Sequence, residues 1–157
     1  NPNLIANLKP DIASYRTLNA KGEAKRGEAL FKKQACVACH TTANGQTPKG
    51  PHLVDIGKRY KPKELVESIL KPDAKIAQGF DTYLFLMKSG KVYTGFVSGE
   101  SADGVQVRQT TGVALKLKKT DIELRQKKEE SMMPKGVAGN LTPEQLADLI
   151  AYLQSLK

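Results

Sequence analysis

Apolar residues recur every three or four positions along Lys21–Ala35, where Ala24, Gly27, Phe31 and Ala35 share one helical face. The spacing predicts a helix that delivers the chain into Cys36. The next stretch, TTANGQTPKGPHLVDIGKR at 41–59, is rich in Gly, Pro, Asn and Thr and reads as a long, mostly irregular loop. Loops of that length inside a compact domain usually wrap something functional. A short helix is expected over Lys63–Leu70, with Pro62 in its first turn and Lys71-Pro72 ending it. Residues 1–20, punctuated by Pro2 and Pro10, read as an N-terminal extension with one short helix.

The period then changes from helical to alternating. TYLFLMKSGKVYTGFV at 82–97 contains two strand-like runs around Ser89-Gly90. VQVRQ at 105–109, VALKLK at 113–118 and DIELRQ at 121–126 complete a set of about five strands. Val113, Leu115 and Leu117 alternate with Ala114, Lys116 and Lys118, the pattern of a sheet with one wet face. Tyr83–Met87 is apolar on both faces, which predicts an inner strand. After another loop, Thr142, Pro143 and Gln145 form a helix start with a capping box. Leu146, Leu149, Ile150 and Leu153 then make one apolar stripe. The chain therefore reads as a single mainly helical domain, 1–157, with a small antiparallel sheet at 80–127 inserted between the third helix and the last loop.

Composition narrows the class. The 157 residues are 39% hydrophobic and 26% charged, with no apolar run near the ~20 residues that span a bilayer. The chain opens on Asn1 rather than Met, so a leader or larger upstream region is expected to have been removed. The net charge of +9 is spread: residues 80–127 carry +3 and the remainder +6. Without a basic stripe a nucleic-acid groove is not indicated, and the surface suits an acidic protein partner.

The chemistry lies in CVACH at 36–40, which holds both cysteines of the chain. A structural zinc needs four ligands, and Cys36, Cys39 and His40 are three, with the adjacent pair badly placed for one tetrahedral ion. A redox dithiol normally sits between a strand and a helix, whereas this motif follows a helix and precedes a loop. A disulfide leaves the following His unexplained. Two thiols three positions apart can instead add to the two vinyl groups of one porphyrin edge, leaving His40 to bind iron.

His40 then needs an acceptor for its other ring nitrogen, and Gly50-Pro51 can supply the Pro51 carbonyl. His52 reads as a surface or propionate-side residue. Met87, on a strand, reads as core filler, so a sixth ligand is sought in SMMPKG at 131–136. Either Met132 or Met133 can serve; Met133 is favoured because Pro134 stiffens it. A thioether opposite imidazole raises the reduction potential and suits electron transfer.

GEALFKKQACVACH, KGPHL, MP and DLIAYL together resemble a class I cytochrome c over residues 21–79 and 128–157. The resemblance implies one covalent haem c on Cys36 and Cys39, His40 and Met133 as iron ligands, and Pro51 holding the proximal histidine. It also implies a crossing of the first and last family helices through Gly27, Phe31, Leu149 and Tyr152. Phe31, Leu53, Tyr60, Ile69, Leu70, Leu141 and Leu149 are candidates for the apolar haem shell. The strand-rich interruption, with ILKPDAKIAQGFDTY and SGKVYTGFV, is similar to haem-binding domains of planctomycetes and verrucomicrobia. There such domains commonly end large secreted dehydrogenase-like proteins.

The expected function is a periplasmic or extracytoplasmic carrier of single electrons between redox proteins, not an enzyme. The rival is a haem enzyme or gas sensor for peroxide, NO or CO, which needs the Met loop to swing away. A third class is a binding module, with the strands forming a small OB-like barrel.

Overall fold

In the computed structural model, which describes residues 1–46, 49–109 and 111–157, the chain divides into two compact units. Thr47 and Pro48 of the long loop and Thr110 lie outside the described residues. Residues 1–74 with 134–157 form a helical unit, and residues 75–133 a sheet unit.

Among the described residues, five α-helices build the helical unit: α1 Pro10–Asn19, α2 Ala24–Lys33, α3 Ile56–Arg59, α4 Pro62–Leu70 and α5 Pro143–Ser155. α2 begins three residues later than its apolar spacing predicts, because Gly22 is pressed against the backbone of Ala147 and Glu23 is still extended. The one-turn helix α3 interrupts the stretch read as irregular loop; Gly57 N–H donates to the Leu156 carbonyl at 2.7 Å, which anchors that turn on the end of α5. Prolines at the first turns of α1, α4 and α5 cost no helical hydrogen bond there.

α5 starts as its sequence predicts. Thr142 Oγ1 accepts from Gln145 N–H, and Gln145 Oε1 accepts from Thr142 N–H at 2.9 Å. Its stripe of Leu146, Leu149, Ile150 and Leu153 is buried, each contributing roughly 1.5–3 kcal/mol relative to exposure.

α2 crosses α5 at Gly27, where a Cβ would come within 1.9 Å of the Asp148 carbonyl oxygen. Beside the crossing, Phe31 meets Tyr152 edge-on with ring centroids 5.4 Å apart. Asp148, on the buried face of α5, is 6% exposed yet fully partnered. Arg26 Nε and Nη2 each donate to it at 2.8 Å, and Glu23 N–H donates at 2.7 Å. Burial pushes this carboxyl up, but the Arg26 fork and the Glu23 amide outweigh burial and hold it below the usual aspartate range.

The sheet unit holds β1 Tyr83–Met87, β2 Val92–Glu100, β3 Gly104–Arg108, β4 Ala114–Lys118 and β5 Ile122–Lys127, all antiparallel in the order β4-β3-β2-β1-β5. β1 is an inner strand, and Phe85 and Met87 pack with Val105, Val107 and Leu117 into a separate core. Val113 departs from the expected alternation: it precedes β4 and is 51% exposed. A 3-10 turn at Lys119–Asp121 carries the chain from β4 on one edge to β5 on the other. Tyr83, the first residue of β1, consequently pairs with Lys127, the last of β5. The chain enters and leaves the sheet side by side, so placing it between two helices closes no large loop.

Candidate functional site

α2 stops at a strained residue. Ala35 follows its C-cap with φ +58°, a left-handed conformation that costs a non-glycine residue about 1 kcal/mol or more. The expected place of Ala35 on the buried helix face is not found; it is exposed and turns the chain out of α2. The payoff is a tight 3-10 turn over Cys36–Ala38, in which Cys39 N–H and His40 N–H both donate to the Cys36 carbonyl, at 3.2 and 2.9 Å. That turn brings both thiols and the histidine together on five consecutive residues, 36–40.

Cys36 and Cys39 are free thiols, both half-buried. Burial raises the Cys36 thiol above its ordinary value, and Cys39 beside it adds to the shift. A reactive redox thiol needs the opposite, an electropositive setting that lowers its pKa. Val37, between them, is 52% exposed. Among the described residues no group of three or more His, Cys, Asp or Glu is arranged to hold a metal ion.

His40 Nδ1–H donates to the Pro51 carbonyl at 2.8 Å. A carbonyl can only accept, so this bond fixes the tautomer and leaves the Nε2 lone pair as the one ligating position of the ring. Burial lowers the His40 pKa, the Pro51 bond acting against it, so the imidazole is neutral at neutral pH. Gly50 permits the approach of the 50–53 segment to the motif, since a Cβ there would lie 2.9 Å from the Cys39 carbonyl oxygen.

The structure thus brings Cys36, Cys39, His40 and Pro51 together within the helical unit. Two free thiols on one turn, followed by a half-buried neutral imidazole with a single free nitrogen, match the donor set that a covalently attached haem requires.

Met133 is the last residue of the sheet unit, half-buried beside half-buried Met132, and its N–H donates to Ser131 Oγ at 3.1 Å. Met87 is 7% exposed in the sheet core. Of the apolar shell candidates, Phe31, Ile69, Leu141 and Leu149 are buried, while Leu53, Tyr60 and Leu70 are half-buried. Ile69 and Leu70 line a cavity of about 280 Å³ with Ile5, Leu8 and Ala13 of the N-terminal segment.

Sequence reasoning passed over two features. Thr41, directly after the motif, is buried and paired with His52 through a side-chain hydrogen bond. Asp148 sits within an apolar stripe, where only its partners, Arg26 and Glu23, explain it. A Thr next to a ligand motif carries no periodic signal; an acidic residue inside an apolar helix face does, and points to a cation partner.

No curated protein matches the chain. The family model for cytochrome c matches residues 24–103, which take in α2, the CVACH turn, α3, α4, β1 and β2 and end before Met132. That span is just over half of the 157 residues. With the helix, the paired thiols and the tied histidine all inside it, the chain belongs to the cytochrome c family.

Proposed function

We propose that the chain is a monohaem c-type cytochrome of the extracytoplasmic space, with His40 and Met133 as iron ligands, that passes single electrons between protein partners. Membership of the family already implies a haem-binding electron carrier. The observation that carries the finer reading is the His40–Pro51 bond directly after two free thiols on one turn. Bound haem supplies a one-electron iron couple, and the protein sets its potential and access.

Each residue then has a defined task. Cys36 and Cys39 would hold the haem covalently, each S–H adding across one vinyl double bond with no atom lost and no oxidant consumed. His40 presents Nε2, and the Pro51 carbonyl keeps that nitrogen aimed and electron-rich. Met133 supplies a thioether; Met87 is spent on the sheet core, and Pro134 restrains Met133. The sheet is read as an insertion, because α4 and α5 on either side of it in sequence pack together in the helical unit. That interrupted pattern supports placing the chain with the planctomycete and verrucomicrobial haem-binding domains.

The surface charge of +9 favours acidic docking partners through long-range attraction. Among the described residues no helix is long and apolar enough to cross a membrane.

Substitution separates the two candidate thioethers. Met133→Ala is expected to abolish the weak near-infrared Met–iron band of the oxidised protein and lower its potential. Met132→Ala is expected to leave both nearly intact. The reverse outcome moves the ligand to Met132, and no effect from either removes Met ligation and favours the enzyme or sensor reading.

A further inference from the structure

Three bonds and one close contact hold the 50–53 segment against the CVACH turn. Gly50 packs on the Cys39 carbonyl, His40 Nδ1–H donates to the Pro51 carbonyl at 2.8 Å, and Leu53 N–H donates to the Thr41 carbonyl at 2.8 Å. The third bond joins two side chains, Thr41 Oγ1 and His52 Nδ1. Thr41 is 8% exposed, so this is a built contact and not a surface encounter.

Residues 50 and 53 are thus fixed by packing and by the backbone. Between them lies the peptide unit that joins Pro51 to His52, whose carbonyl oxygen is the acceptor for His40. Such a unit can rotate as a plate while its neighbours stay still. Two contacts oppose that rotation, both made by His52: its ring is held by Thr41, and its carbonyl accepts from Arg59 Nη2 at 3.0 Å. Arg59 is itself aligned by Asp55 Oδ1 at 2.8 Å.

We propose that Thr41 and His52 are positioning residues whose side-chain hydrogen bond sets the plane of the Pro51–His52 peptide and thereby the aim of the Pro51 carbonyl at His40 Nδ1. The inference rests on His40 being an iron ligand. A well-aimed acceptor makes the imidazole a stronger donor and favours the oxidised iron, so loosening it raises the potential.

The test compares haem-loaded wild type with Thr41→Val, which keeps the shape and loses the hydroxyl, and Thr41→Ser, which restores it. Three quantities are read: midpoint potential, exchange of the His40 Nδ1 proton by NMR in the reduced protein, and thermal unfolding. Thr41→Val is expected to raise the potential and to speed the exchange, both measurably beyond the scatter of repeat wild-type preparations. Thr41→Ser is expected to return both towards wild type.

His52→Phe cuts the same bond from the half-exposed side and is expected to shift both in the same direction, which keeps the test open if Thr41→Val folds poorly. A folded, haem-loaded variant with unchanged potential and exchange overturns the proposal, even if it unfolds at lower temperature. That result leaves the haem reading standing, whereas a wild-type chain without covalent haem overturns both.

Discussion

Gly27→Val is expected to destabilise the helical unit by about 3 kcal/mol or more, beyond the usual range for overpacking, because the obstacle is main chain. A Cβ at this position would lie 1.9 Å from the Asp148 carbonyl oxygen and 2.8 Å from Tyr152 Cβ. Neither atom belongs to a flexible side-chain tip, so relief requires α2 and α5 to separate. Separation would also break the Phe31–Tyr152 edge contact and stretch the Arg26–Asp148 fork, losses coupled to the same movement. Folded proteins hold only about 5–15 kcal/mol in total, so a loss of this size removes a large share. Thermal melts should fall by about 6–12 °C or show no folded state. Gly27→Ala should cost nearly as much, since the first side-chain carbon is the one that collides. A melting temperature within a degree or two of wild type for either variant would contradict the crossing geometry.

His40→Ala is expected to remove the low-spin optical spectrum of the haem-loaded protein. The other histidine, His52, is tied in place by Thr41 at Nδ1 and by Arg59 at its carbonyl, so it would have to bring Nε2 to the iron without leaving those contacts. Added imidazole should partly restore the spectrum by entering the space the side chain leaves. A His40→Ala protein with an unaltered spectrum would show that another residue binds the iron.

Helices and strands were legible because their periods are long and clean. α5 carries its start signal and its stripe in twelve consecutive residues, and β1 shows its inner position by being apolar at every residue. The short helix α3 was not legible: its stability comes from Gly57 docking on the Leu156 carbonyl, a contact made far along the chain. The left-handed turn at Ala35 was hidden for a related reason. Alanine favours helix, and only the demand for a tight turn at Cys36 overrides that preference. Val113 misled because alternation continues past the point where hydrogen bonding to β3 begins at Ala114.

At the site, the motif and the His40–Pro51 pairing could be read from spacing and donor chemistry. The Thr41–His52 tie could not, because neither residue type announces its partner. The same holds for Asp148, whose role appears only once Arg26 and Glu23 are seen around it.

The central claim is a haem held by two thioethers, and the mass of the intact protein under denaturing conditions tests it most directly. The account predicts the mass of the chain plus one haem, with no thiol left for an alkylating reagent, because both cysteines, Cys36 and Cys39, are consumed. A bare chain mass with two alkylatable thiols, from protein matured in a host that attaches haem to known c-type cytochromes, would contradict it.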